Sequence, residues 1–199
     1  MASQVEICNR ALIKLGANTI TSISDNSKPA RTLGALWDSI RRTELSKRYW
    51  NFAISRAILP ALADSPTWGF ANAFQLPNDF LKIVQVSDLF ISPGLSDYRT
   101  GDESPYAIEG KTLVTDFAAP LKIRYIQDVT DTGSFDVQFI EVMASKLAYE
   151  SCYAITQSRD GQRQAAEDYS LAVKEAARCN ALSRPPAEIP DDSWVLGRL

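Results

Sequence analysis

The sequence predicts an α+β fold: a four-helix bundle with a β-rich insertion between helices 2 and 3 and an extended C-terminal arm. Three observations lead there. Apolar residues recur at spacings of three and four near both ends of the 199-residue chain. Between about Asn51 and Gln127 that period gives way to short β-rich runs broken by Pro and Gly. After Leu182 neither period continues, and three prolines follow within nine residues. The expected parts are 1–50 and 133–183 for the bundle, 51–132 for the insertion and 184–199 for the arm.

Each element has its own justification. In residues 3–15, Val5, Cys8, Leu12 and Leu15 fall on one helical face. Ser3 can cap the start with Glu6 three residues on, and Gly16 stands where a left-handed C-cap belongs. The polar stretch ANTITSISDNSK reads as a loop. A second helix is expected from about Pro29 to Arg48, capped by Ser27 or Asn26. Leu33, Trp37, Ile40 and Leu45 form its apolar stripe, and Arg31, Asp38, Arg41, Arg42, Lys47 and Arg48 an outer, basic face.

The β-rich runs are FAISRAIL, FQLP, FLKIVQVSDLFI, YAIEG, KTLVT and LKIRYIQ. The last alternates Leu121, Ile123 and Tyr125 with Lys122, Arg124 and Ile126, close to the period of a half-buried strand. Residues 92–105 are rich in Gly, Pro, Ser and Asp, and predict a long exposed hairpin loop. Helical spacing returns at about Phe135, after Gly133 and a capping Ser134. Ile140, Met143, Leu147 and Ala154 mark one face of this third helix, and Phe139, Val142, Tyr149 and Tyr153 another, which predicts a central, buried helix. SRDGQ at 158–162 is a short connection. A fourth helix runs to about Leu182 with Ala165, Ala166, Tyr169, Ala172, Val173 and Ala176 facing inward.

Composition narrows the function classes. Hydrophobic residues make up 45% of the chain, enough for a real core. The net charge of −3 argues against strong nonspecific gripping of nucleic acid, while leaving room for a local patch. There is no histidine, which removes Ser-His-Asp and Cys-His nucleophiles and His-ligated metals. Cys8, Cys152 and Cys179 stand apart, in no CxxC pair, and are expected to be reduced thiols. No run is long and apolar enough to span a bilayer, and MASQVEICNR has no signal-type apolar stretch. The expectation is a soluble protein with no cofactor and no membrane partner.

Four constellations remain. RYWNFAISR, 48–56, interleaves aromatics with cations: it is a stacking surface for nucleic acid or, as the acidic net charge favours, core aromatics flanked by solvated arginines. The basic face of the second helix, with Arg41, Arg42 and Arg48, is a candidate contact for an acidic partner or neighbouring subunit, or a solvated face. Asp64, Asp79, Asp116, Glu109 and Glu150 are the candidates for a hydrolytic carboxylate pair, although caps and surface charge account for such residues more simply. In the arm, Pro185, Pro186 and Ile189 lead to Trp194, Val195 and Leu196, anchors that need a groove on a neighbour, a partner or their own bundle.

The run ALIKLGANTITSISDNSKPARTLGALWDSIRRTELSKRYWNFAISRAIL, followed by AFQLPNDFLKIVQV, resembles the head-to-tail adaptor proteins of tailed bacteriophages, nearest to the tail tubular protein A or gatekeeper type of short-tailed phages. The shared features are Leu15-Gly16 closing the first helix, a Ser/Asp-rich loop, Ala30 in the second helix, Leu45 before Trp50, Phe52 and Ala53, and the Leu76-Pro77-x-Asp79 step into the next strand. The match covers about the first 90 residues; the last two helices agree in position and character only. The resemblance implies a virion protein at the head–tail junction, in a ring of twelve copies between portal protein and tail nozzle protein. Double-stranded DNA would pass through its lumen without sequence-specific contact, and the chain would not be an enzyme. The rival reading is a tail-associated polysaccharide hydrolase using a carboxylate pair.

Overall fold

A computed structural model describes residues 2–87 and 105–183, with the backbone alone at 89 and 90. Two helices come first, seven strands follow, and two helices close the described chain. The described residues are α+β, with four α-helices and two small antiparallel sheets among them.

Helix α1 spans Gln4–Lys14. Its capping box is complete: Glu6 N donates to Ser3 Oγ at 3.2 Å and Ser3 N donates to Glu6 Oε2 at 3.0 Å. Gly16 follows at φ +65°, the left-handed conformation that glycine adopts without strain. The loop after it is anchored rather than loose. Asn9 bonds both backbone groups of Ile20, and Asp25 accepts from the amides of Thr21 and Ser22. Those bonds hold the Asp25 carboxyl below its ordinary value.

Helix α2 spans Lys28–Lys47, capped by Ser27 with Pro29 in its first turn. Its apolar stripe is buried as the spacing predicts, through Leu33, Trp37, Ile40 and Leu45. The opposite face is not uniformly basic or solvated, because Arg41 and Glu44 are each only 2% exposed. The long arginine stem lies along the protein while its head reaches Asp128 at the end of the strands.

The strands are β1 (Ile54–Leu59), β2 (Asn72–Gln75), β3 (Phe80–Val86), β4 (Leu89–Phe90), β5 (Tyr106–Glu109), β6 (Thr112–Thr115) and β7 (Leu121–Gln127). Every β-rich run read from the sequence overlaps a strand, although β2 begins two residues before the run FQLP, and the run at 80–91 is divided by Ser87 at φ +51°. One sheet has the order β1-β7-β3-β4 and the other β2-β6-β5. Strands β4 and β5 thus belong to different sheets. The long exposed hairpin loop expected over 92–105 lies, apart from Pro105, outside the described residues.

The larger sheet divides two apolar clusters. Leu121, Ile123 and Tyr125 of β7 face the smaller sheet and meet Leu59, Phe74, Leu76 and Leu113. The alternate residues of β7 point the other way, and Ile126 joins Ile54 and Val84 against the helices. Helix α3, Val137–Thr156, is central as predicted and contacts α1, α2 and α4, with Phe139, Val142, Met143 and Leu147 buried. Ala154 and Tyr153, expected in its faces, are exposed near its C-terminal end. It starts after a short turn at Thr132–Ser134, so its cap position is Asp136 rather than Ser134.

Helix α4, Arg159–Leu182, takes in most of the expected SRDGQ connection. Ser158 Oγ accepts from Gly161 N at 3.0 Å, so this serine begins the helix instead of the loop. Only Ala165 and Ala176 of α4 are fully buried; Tyr169, Ala172 and Val173 lean on the core from outside.

Candidate functional site

Of the three arginines proposed as contacts, two converge on a single carboxylate. Arg41 Nη1 donates to Asp128 Oδ1, and also to the Val129 carbonyl at 2.9 Å. Arg42 Nε donates to the other oxygen, Asp128 Oδ2, at 2.9 Å. Asp38 takes a third bond from Arg41 Nη2 at 3.2 Å. Arg41 is therefore buried and spent on tying α2 to the end of β7. It is not available on an outer face, which corrects the expectation from spacing. Arg42 keeps 62% of its side chain exposed, and Arg48 is exposed where α2 ends.

One turn further along α2 is a second polar knot. Buried Glu44 accepts from Lys47 Nζ at 2.6 Å and from the Tyr169 hydroxyl at 3.0 Å. The Lys146 ammonium lies 5.0 Å from the centre of the Tyr169 ring, which stacks on Tyr149. Burial and the neighbouring carboxylate hold the Tyr169 phenol above its ordinary value, against the pull of Lys47. This cluster bonds α4 to α2 through a group that titrates outside the physiological range. It is arranged for attachment rather than proton transfer.

The aromatic segment after α2 is core. Trp50 is 1% exposed, and its Nε1 donates to the Glu44 carbonyl at 2.9 Å. Its ring meets Phe139 edge-on at 5.1 Å, and Phe52 packs between Phe135 and Phe139. No face of Trp50 is left for a base to stack on. The candidate carboxylates also have local bonds: Asp79 accepts from the Tyr125 hydroxyl, Asp116 from Ala71 N, and Glu150 from Lys146. Asp64 and Glu109 are exposed. Cys8 is fully buried, and burial pushes its thiol up to about 12, far from a nucleophile's range.

Two surface features were not singled out from the sequence. Trp68 is 82% exposed on the connection between β1 and β2, an unusual setting for so large an apolar ring. On the larger sheet, Arg56, Lys122 and Arg124 line one open groove with Ile58 and Gln85. The alternation of β7 displayed Lys122 and Arg124, but only the strand pairing brings Arg56 beside them. The arm residues Pro185, Pro186, Ile189, Trp194, Val195 and Leu196 lie outside the described residues.

Among the described residues there is no cluster of His, Cys, Asp and Glu placed to hold a metal, and no helix long and apolar enough to cross a membrane. No protein-family model matches this chain, and no curated protein is similar enough to it to count as a relative.

Proposed function

We propose that this chain is a structural virion protein, a ring-forming head-to-tail adaptor that joins the portal protein to the tail nozzle protein around the DNA channel. Its work is assembly by surface burial, not catalysis. Double-stranded DNA passes through the lumen without sequence-specific contact, and the site of action is the head–tail junction of the virion. The fold in this reading is a four-helix bundle of 1–50 and 133–183, with the β-rich insertion 51–132 and the arm 184–199.

The observation that carries the reading is the resemblance of the first 90 residues to phage adaptors. Several residues that carry it, Leu45, Trp50, Ala53 and Leu76, are buried ones. They hold helices and sheets in one frame, which is what an adaptor subunit requires. A closed ring needs two different surfaces that fit each other on successive copies. Arg42, Arg48 and the arm residues Pro185, Pro186, Ile189, Trp194, Val195 and Leu196 are the contact residues of this proposal. Arg41 supports them from inside.

The test is to mix the full chain with its cognate portal and measure mass. Twelve copies of a 22.0 kDa chain add about 264 kDa to the portal. Deleting residues 184–199 should leave the free chain folded and abolish attachment. A chain that stays at 22.0 kDa beside its portal, or polysaccharide turnover lost on changing one carboxylate, would overturn the proposal.

A further inference from the structure

Cross-strand partners share a face of a sheet. At one end of the larger sheet Ile54 pairs with Ile126, and both run under the helices. Further along the same face Arg56 pairs with Arg124, and Ile58 with Lys122. Here the helical cover has ended: Ile58 is 66% exposed, and Arg56 and Lys122 are exposed beside it. Like charges placed directly opposite each other weaken a strand pair. None of the three cations has an ion pair among the described residues, and they line one groove. Arg124 Nη1 donates to Gln85 Oε1 at 3.2 Å, but its buried Nε has no hydrogen-bond partner among the described residues. A chain of net charge −3 thus gathers uncompensated positive charge around an apolar centre. That chemistry fits a segment alternating carboxylates with apolar side chains.

The chain itself carries such a segment. Residues 188–196 hold Glu188, Asp191 and Asp192 with Ile189, Trp194, Val195 and Leu196, and no cation. The root of this segment is fixed at the chain that leads into β1, the strand that carries Arg56 and Ile58. Asn51 N donates to Asn180 Oδ1 at 3.0 Å, and Asn180 Nδ2 donates to the Tyr49 carbonyl at 2.9 Å. These bonds hold the last turn of α4 at the entrance to β1. From Asn51 to Arg56 is five residues, at most about 17 Å of extended chain. From Ser183 to Glu188 is also five residues, and Asp191 and Asp192 are eight and nine residues on, so about 17 to 30 Å of extended chain is available to bring the carboxylates to the cations.

We propose that residues 188–196 dock in this groove of their own chain, their carboxylates compensating Arg56, Lys122 and Arg124 while their apolar side chains cover Ile58. Pro185, Pro186 and Pro190 restrict the undocked chain, so less entropy is lost on docking. The proposal does not depend on the adaptor reading. It adds that in the free chain the arm is held against its own sheet, and that any partner taking the arm must first displace it.

The experiment uses the full chain. A carbodiimide treatment of an equimolar mixture of unlabelled and 15N-labelled protein should join the Lys122 amine to Glu188, Asp191 or Asp192, within unlabelled or within labelled chains only. Chymotrypsin cleavage after Trp194 should be slow in the native chain. It should quicken about tenfold in Arg56→Glu/Lys122→Glu, since cleavage follows the open population of the arm. Asp191→Lys/Asp192→Lys, which changes only the arm, should quicken it likewise. Combining the two charge reversals should restore slow cleavage. Cross-links of which about half join labelled to unlabelled chains, the share that random pairing between molecules gives, would overturn the own-chain assignment. Cleavage indifferent to both reversals would overturn the groove.

Discussion

Replacing Arg41 by alanine separates an internal tie from a surface contact. The guanidinium is 2% exposed and bonds Asp128, Asp38 and the Val129 carbonyl. Removing it strands the Val129 carbonyl and leaves Asp128, itself 13% exposed, with Arg42 as its remaining cation. Breaking a buried pair by deleting one partner costs about 3–5 kcal/mol. Because Arg42 still compensates part of the charge, the lower end, about 3 kcal/mol, is expected here. Arg42→Ala removes a mostly exposed partner and should cost about 0.2–1 kcal/mol. Urea denaturation reads the difference. With a slope of about 2 kcal/mol/M, Arg41→Ala lowers the midpoint by about 1.5 M and Arg42→Ala by less than about 0.5 M. Equal, small shifts for the two variants at unchanged slope would refute the reasoning and return Arg41 to the outer face of α2.

Two further outcomes follow from burial. Trp50→Ala should cost about 3–5 kcal/mol, because it empties a site bounded by Phe52 and Phe139 and frees the Glu44 carbonyl; a midpoint shift worth less than 1 kcal/mol would place the ring outside the core. Burial raises the Cys8 thiol from its ordinary value of 9.0 to about 12, so the unfolded chain ionises first as the pH rises. The stability this thiol contributes is whole below about pH 9 and is lost toward pH 12, at about 1.4 kcal/mol per pH unit. Cys8→Ala should flatten that alkaline slope while leaving the slope below pH 8 unchanged, and an identical alkaline slope in the variant would contradict the assignment.

Much of the fold was legible because its signals are local. Ser3 with Glu6, Pro29 after Ser27, and Gly16 after Leu15 each fix a helix end with groups a few residues apart. The β-rich runs showed where strands lie, since Pro60, Pro66, Pro77, Pro105 and Pro120 fall between them. Which strands pair was not legible, because pairing depends on contacts far apart in sequence. Nothing local in the sequence says that β4 joins β3 while β5 joins β6 in the other sheet. The same limit applies to charge. Arg41 looks like its neighbour Arg42 on a helical projection, and only Asp128, 87 residues away, decides that one is inside. Ser158 looked like loop until its hydroxyl was seen to cap α4.

The same distinction explains what fixes the end of α4. Helix α4 buries only Ala165 and Ala176 completely, so apolar burial alone fixes its position weakly along α3. Small residues allow close approach, but they also allow sliding. What pins the helix is polar and specific: Tyr169 on Glu44 near its middle and Asn180 on Tyr49 and Asn51 near its end. Hydrogen bonds to a buried carboxylate are directional, and leaving that group unpaired is costly, so a shift of one residue along α4 would be penalised at once. Both anchors lie on α2 or on the chain just after it. The end of α4 is therefore set by the same segment that leads into β1 and carries Arg56 into the groove. A substitution at Asn180 would change where residues 184–199 begin without touching any of the surfaces they are proposed to meet.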